Sequence, residues 1–424
     1  MKLIRNISCL IVLIYLTFNI NPASASINSY PITNGKAVIL MDANSGRVLY
    51  ERNSNQQLPP ASLTKIMTAL LVVENGELGE IVTASEYAAE TPECTIYLEP
   101  NETLTRMDLL YAAMLPSAND ACTALAESIS GAETSFLQLM NQRASDLGLK
   151  KTHFLNTHGL EAEGHYSSAY DLAFLTKEAL SYPLFTKVTS TQKKIIPWAS
   201  RDDEDRILFN QNRLLARYDG AVGVKTGYTK QAGNCVVAAA QRGDMLLIAV
   251  SMNSPTVYDD LTQMLDYGFD NYKIVTLGKT DDKLGEIKVL KGDTTSVKVS
   301  AADNLTVAVT DEEALHLTYV VNLEPTVTAP VKQGEILGTC RLYLKGEPIR
   351  DINVLANQSI GLKPSIIATL SSNTLTSKWG YTLTGLAIFL IIYLNRKKLE
   401  DSFKHLLLFL LRNKVSSHSK DKQF

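Results

Sequence analysis

Ser62-Leu63-Thr64-Lys65, Ser117-Ala118-Asn119 and Lys225-Thr226-Gly227 stand in that order along the chain. A hydroxyl with an amine three residues on supplies a nucleophile and a base. A second hydroxyl beside an amide supplies a proton relay and a hydrogen-bonding arm, and the lysine-threonine-glycine run supplies an anion-binding edge. Acyl transfer by a serine needs that set. Single fragments recur by chance: Ser190-x-x-Lys193, Ser417-x-x-Lys420 and Ser419-x-x-Lys422 repeat the first, and Ser26-Ile27-Asn28, Ser251-Met252-Asn253 and Ser371-Ser372-Asn373 the second. Order and local context carry the signal.

Elements must hold these groups. Pro59-Pro60-Ala61 blocks helix before Ser62, and Leu63, Ile66, Met67, Leu70 and Leu71 follow at the spacing of one face of an amphipathic helix ending near Asn75-Gly76. Ser62 then sits in the first turn, at the positive end of the helix dipole, with Lys65 beside it. Ser117-Ala118-Asn119 falls between two helical runs, the first opened by Thr105-x-x-Asp108 and closed by Pro116, the second beginning near Asp120 and running toward Gly131. Ala221–Thr229, Cys235–Ala240 and Met245–Val250 read as strands of an antiparallel sheet with turns at Gln231-Ala232-Gly233 and Gln241–Asp244. Gly227 permits close approach of another backbone, so a peptide could add along that edge.

The ordered set resembles the motifs of serine penicillin-binding proteins and class A β-lactamases. Longer phrases narrow the resemblance to the low-molecular-weight D-alanyl-D-alanine carboxypeptidases, serine peptidase family S11. They are Leu40-Met41-Asp42-Ala43, Pro59–Lys65, Leu115–Ala121, His158-Gly159-Leu160, Gly164–Leu172 and Val222–Thr229, and the likeness runs from about Ile32 to about Tyr272. It implies an α/β (α+β) catalytic domain with an antiparallel sheet flanked by helices. It also implies roles: Ser62 attacks the bond between the two terminal D-alanines of a peptidoglycan stem peptide, Lys65 is the base, and Ser117 relays a proton. Asn119, Lys225, Thr226, Gly227, Tyr228 and Thr229 bind substrate, with the N–H groups of Ser62 and Tyr228 as oxyanion hole. β-Lactams would acylate the same serine. No cofactor or metal is implied, and His158 and His165 border the cleft with hydrogen-bonding as well as catalytic roles open.

Two departures bear on substrate. A class A β-lactamase carries a deacylating Glu followed four residues later by Asn, whereas this chain reads Glu161-Ala162-Glu163-Gly164-His165. Efficient penicillin hydrolysis is therefore not expected, and slow hydrolysis stands as the enzymatic alternative. Family members often place an arginine after the strand that follows the third motif; here Asn253–Asp260 has none. The terminal carboxylate would fall to Thr226, Thr229, Lys225 or Arg242, or the preferred substrate differs from a free pentapeptide terminus.

The chain has 424 residues with 41 basic and 44 acidic side chains, a balance that gives no sign of nucleic-acid binding. Lys2 and Arg5, the apolar run Cys9–Phe18 and Ala23-Ser24-Ala25 read as a signal peptide over residues 1–25. The catalytic domain is then expected over 26–273 and a small all-β sandwich over 274–365, the latter resembling the C-terminal domain of this family. Cys94, Cys122, Cys235 and Cys340 are too scattered for a disulfide framework or a metal site and are expected as buried free thiols; a reagent reaching Cys122, three residues past Asn119, would disturb the site without the cysteine taking part in chemistry. The apolar run Trp379–Leu394, flanked by Arg396-Lys397-Lys398, is read as a transmembrane helix over 375–395 with a basic cytoplasmic tail over 396–424. A helix lying in the membrane plane is the alternative. These segments together predict a bacterial protein anchored in the cytoplasmic membrane by a single pass, with its catalytic domain outside. A membrane-tethered wall-binding scaffold with a silent site is the non-enzymatic alternative.

Overall fold

The computed structural model describes residues 30–198, 201, 204–280, 282–363, 378–396 and 404. The residues read as a signal peptide lie outside the described ones. So does the tail, apart from Arg396 and Lys404. The chain divides into two compact units, one built on the residues up to Asp282 with Ala301–Asn322 and Thr339–Asn353, the other on Lys283–Ser300, Leu323–Gly338 and the residues from Val354.

The first unit is organised on a five-stranded sheet made by β1 (Ala37–Asp42), β2 (Val48–Arg52), β3 (Ala221–Thr229), β4 (Gly233–Arg242) and β5 (Met245–Met252). The spatial order is β2-β1-β5-β4-β3, every pairing is antiparallel, and β3, which carries Lys225-Thr226-Gly227, is an edge strand. Uninterrupted apolar runs in β1, β4 and β5 fit burial on both faces. Period-2 alternation sends Ala37, Ile39, Met41, Val237, Ala239, Ile248 and Val250 into one core. Val38, Leu40, Ala238, Ala240, Leu247 and Ala249 enter the other, where Leu261, Met264 and Leu265 of the helix Val257–Asn271 cover them. Each fully buried leucine of this kind contributes about 1.5–3 kcal/mol.

The larger core holds α1 (Lys65–Asn75), α2 (Arg106–Met114) and α3 (Asn119–Ser130). A short 3₁₀ turn, Ala61–Thr64, precedes α1. The amphipathic expectation for α1 needs correction, because every residue from Lys65 to Val72 is buried. A helix apolar on most sides belongs in an interior, and its two polar interior residues have partners: Lys65 in the site described below, and Thr68 Oγ1 donating to Thr157 O at 2.6 Å. Thr105 caps α2 by accepting the Asp108 N–H, and Gly131 ends α3 in the left-handed conformation.

An ordered loop over residues 91–102 lies against α3. Its Ile96 and Leu98 N–H groups donate to the Asp120 carboxylate at 3.1 and 3.0 Å. Arg206 reaches the same loop from the strand Asp205–Phe209, donating to Ile96 O at 2.7 Å, Tyr97 O at 2.9 Å and Glu102 Oε2 at 2.8 Å. The Arg206 and Glu102 side chains keep only 5% and 0% exposure, so neither charge has water to fall back on.

Between Lys273 and Lys363 the described residues are mostly β-strand. Within the first unit Lys273–Thr276 pairs antiparallel with Thr306–Val309, and Arg47 donates to Glu313 and to Ala308 O. Within the second, Lys283–Leu290 pairs antiparallel with Ser296–Ala301 and parallel with Thr326–Thr328. The expected transmembrane helix is not found. Among the described residues no helix is long and apolar enough to cross a membrane. The apolar run forms a helix of 17 residues, Lys378–Leu394, which rises about 25 Å at 1.5 Å per residue against a hydrocarbon core of about 30 Å. The expected span over 375–395 also includes residues 375–377, which lie outside the described ones.

Arg206→Ala leaves the Glu102 carboxylate buried without a cation, and we expect it to lower the unfolding free energy by about 3–5 kcal/mol. Urea unfolding checks this. The double replacement of Arg206 and Glu102 by methionine should recover most of the loss.

Candidate active site

Ser62 follows directly on a residue in the left-handed region, Ala61 at φ 48°, and Ser117 sits there itself at φ 72°. Residues with a Cβ pay about 1–3 kcal/mol for such backbone, and it concentrates at functional sites. Both positions turn a hydroxyl out of a helix end toward one cleft of about 940 Å³, lined by Ser62, Ser117, Thr226, Gly227 and Tyr228 among others. The three sequence motifs therefore meet in space.

Lys65 is the centre of the arrangement. Its Nζ donates to Ser62 Oγ at 3.1 Å, Asn119 Oδ1 at 2.7 Å and His158 O at 2.8 Å. The side chain has no exposed surface. Three acceptors match the three hydrogens of an ammonium, while burial lowers the pKa from the ordinary lysine value and favours the neutral amine. Asn119 is held in turn: its side-chain amide donates to Pro92 O at 2.8 Å and its backbone N–H to Cys94 O at 2.6 Å. These carbonyls belong to the loop that Arg206 and Asp120 fasten. The Ser117 hydroxyl is buried and has no hydrogen-bond partner among the described residues.

Lys225 is the second buried amine, with Nζ donating to Thr226 O at 2.9 Å. Burial first, and then the Lys65 charge, bring its pKa down to about 7. Gly227 is needed because a Cβ there would lie 2.8 Å from Ser62 N and 3.1 Å from Ala61 Cβ. The close approach anticipated at Gly227 is thus first made by the chain's own nucleophile turn. The Ser62 N–H and the Gly227-Tyr228 edge are packed together, as an oxyanion hole requires.

Gly159 has a steric role: at φ 96° a Cβ would fall 1.9 Å from Ala61 O. It allows the His158 carbonyl to reach Lys65. His165 Nδ1 accepts the Leu155 N–H at 3.2 Å, so Nε2 carries the hydrogen that Thr64 Oγ1 accepts at 2.8 Å. Burial holds the pKa values of His158 at about 3 and of His165 at about 4. Both imidazoles are neutral at neutral pH, and both take part in hydrogen bonds, His165 with Thr64 and Leu155 and His158 by accepting the Leu160 N–H at 3.4 Å.

The expectations for Thr229 and Arg242 are not met by position, while Cys122 is the buried free thiol expected. Thr229 Oγ1 accepts the Ala232 N–H at 3.0 Å and serves the turn after β3. Arg242 stacks over Tyr218 and Phe269, at 5.0 and 4.5 Å from the ring centres, and does not line the cleft. Cys122 is fully buried, with its thiol pushed up to about 11 by burial, whereas Cys94 is exposed and lines the cleft beside Ser62 and Ser117. Arg213 and Arg217 also line it. Sequence reading missed both, since their nearness to Ser62 is tertiary; the nearest signal was their position shortly before β3. Among the described residues no group of His, Cys, Asp and Glu has the geometry to hold a metal ion.

A serine hydroxyl bonded to a buried lysine, with a second serine and a lysine-threonine-glycine strand on one cleft, defines a serine acyl-transfer enzyme. The chain belongs to the D-alanyl-D-alanine carboxypeptidase family, whose match covers residues 24–256, and residues 272–361 match the C-terminal domain of penicillin-binding protein 5. The chain is 38% identical to D-alanyl-D-alanine carboxypeptidase DacF of Bacillus subtilis over 77% of its length and 85% of that protein. With DacC of Escherichia coli the identity is 33%, covering 78% of this chain and 85% of the relative. The structure of penicillin binding protein 5 from Haemophilus influenzae superposes with a TM-score of 0.65 at 29% identity, covering 78% of this chain and 99% of that one. The activity is that of a serine-type D-alanyl-D-alanine carboxypeptidase, a hydrolase of a family that acts on peptidoglycan peptides and binds β-lactams.

The exposed Cys94 yields a test. N-ethylmaleimide should abolish labelling of the enzyme by a fluorescent penicillin, and Cys94→Ser should remain labelled after the same treatment. The buried Cys122 is not expected to react.

Proposed function

We propose that Ser62 is the nucleophile and Lys65 the general base for cleavage of the terminal D-alanyl-D-alanine bond. The observation that carries this reading is the Lys65 Nζ to Ser62 Oγ hydrogen bond of 3.1 Å from an amine without exposed surface. Neutral Lys65 takes the Oγ proton as the oxygen attacks the carbonyl carbon, and the N–H groups of Ser62 and Tyr228 receive the developing oxyanion. Ser117 passes the proton to the departing amine, whose loss as D-alanine leaves the acyl group on Ser62. Asn119 holds the peptide amide, and Lys225, Thr226 and Gly227 present the edge of β3 to the peptide backbone. Water then attacks the ester, with the proton returned to Ser62 by way of Lys65.

β-Lactams enter the same path, with the ring amide in place of the scissile bond. Glu161 is exposed and accepts the Gln231 N–H at 2.8 Å, which supports the expectation of slow rather than efficient penicillin hydrolysis. The N-terminal sequence supports a catalytic unit that works on the extracytoplasmic side.

The test is release of free D-alanine from a stem pentapeptide. Wild-type enzyme should release it, Ser62→Ala should release none and lose covalent penicillin labelling, and Lys65→Met should lower the acylation rate by about 10²–10⁴-fold. Undiminished release by Ser62→Ala would refute the assignment.

A further inference from the structure

Removal of a C-terminal residue requires recognition of the carboxylate that marks the chain end, and the three motifs leave that charge without a fixed cation. Lys225 is buried, its Nζ is engaged by Thr226 O, and with a pKa of about 7 it holds only part of a positive charge at neutral pH. Arg242 is occupied elsewhere, over Tyr218 and Phe269 and 3.9 Å from Asp219. Thr229 Oγ1 accepts the Ala232 N–H of its own turn and carries no charge. Residues 253–260 contribute Pro255, Thr256 and Asp259 to the cleft wall but no base.

Two guanidinium groups share that wall with Ser62, those of Arg213 and Arg217. Both side chains are exposed, and neither has an ion-pair partner among the described residues. Unpaired arginines in a substrate cleft carry charge at every working pH and present the planar fork that fits a carboxylate. Of the two, Arg213 is the one its surroundings orient. Its backbone N–H donates to the Tyr258 hydroxyl at 3.4 Å, and that hydroxyl donates to Gln211 O at 3.3 Å. The guanidinium lies 5.9 Å from the centre of the Tyr258 ring. On either side the loop is fastened by Asn210 Nδ2, which donates to Thr189 O and Thr191 O at 3.0 Å, and by Asn212 Oδ1, which accepts the Leu214 N–H at 3.1 Å. Arg217 has no comparable support.

We propose that Arg213 is the specificity-determining residue that pairs with the terminal carboxylate of the stem peptide. The assignment rests on the Ser62 acyl-enzyme reading above. It gives the cleft that Ser62 lines a cation of constant charge, where residues 253–260 supply none.

The test compares two acyl donors that differ only in the charge to be recognised: an N-acyl-D-alanyl thioester of thioglycolic acid, and the methyl ester of the same compound. Loss of the thioester absorbance reads both. Wild-type enzyme should prefer the free acid by on the order of 10- to 100-fold in kcat/KM, as a hydrogen-bonded charge pair allows. Arg213→Gln should bring the two substrates to near equality, through loss on the free acid while turnover of the methyl ester persists. Arg213→Lys should regain part of the preference, and Arg217→Gln should keep it. A wild-type preference retained by Arg213→Gln, its collapse in Arg217→Gln alone, or an equal loss on both substrates would each overturn the assignment. Wild-type enzyme inert toward both thioesters would contradict the acyl-enzyme reading itself.

Discussion

A primary amine enclosed by protein, with Ser62 Oγ, Asn119 Oδ1 and His158 O as its three acceptors, is the interaction around which the catalytic unit is built. Burying a lysine is costly unless its hydrogens are all received. The cost falls on the charged form, and that tilts the amine toward the neutral base that a serine nucleophile needs. The same desolvation acts on Lys225, where the charge of Lys65 adds to it.

Each acceptor comes from a different part of the chain, so the cage can close only when the whole unit has folded. Ser62 arrives on the turn before α1, three residues ahead of the lysine. Asn119 arrives at the start of α3 and is pinned by the carbonyls of Pro92 and Cys94, whose loop depends on the buried Arg206 and Glu102 pair and on Asp120. His158 O arrives because Gly159 fits against Ala61 O, a place no side chain can occupy. β3 closes the other wall through Gly227, for the same steric reason. Left-handed backbone at Ala61 and Ser117 is the strain this convergence demands, and the buried helices on one face of the sheet hold it.

What the sequence made legible follows from local rules. The i, i+3 relation of Ser62 and Lys65, the caps of α2 and α3, and the three apolar runs of β3, β4 and β5 are all expressed within a few residues, and all are present. Other features are set by distant partners. The apolar spacing of α1 suggested one wet face, but Lys65 and Thr68 are polar residues with interior partners, so that face is buried too. The His158 carbonyl is main chain and leaves no mark in residue type. Arg206 meets Glu102 across 104 positions, and Arg213 and Arg217 reach the cleft only through the packing of their loop. Cys122 is buried inside α3 as a free thiol is expected to be, whereas the exposure of Cys94 in the cleft is set by tertiary packing. The apolar C-terminal run was legible as apolar, but its helix of 17 residues falls short of a span.

The most direct test of the account is the pH dependence of the limiting rate at which saturating penicillin acylates Ser62. A buried, caged Lys65 predicts a rising limb whose midpoint lies well below 10.5, the ordinary value for lysine, because the neutral base is then present at lower pH. A rising limb centred at or above 10.5, or a rate indifferent to pH over that range, would contradict it.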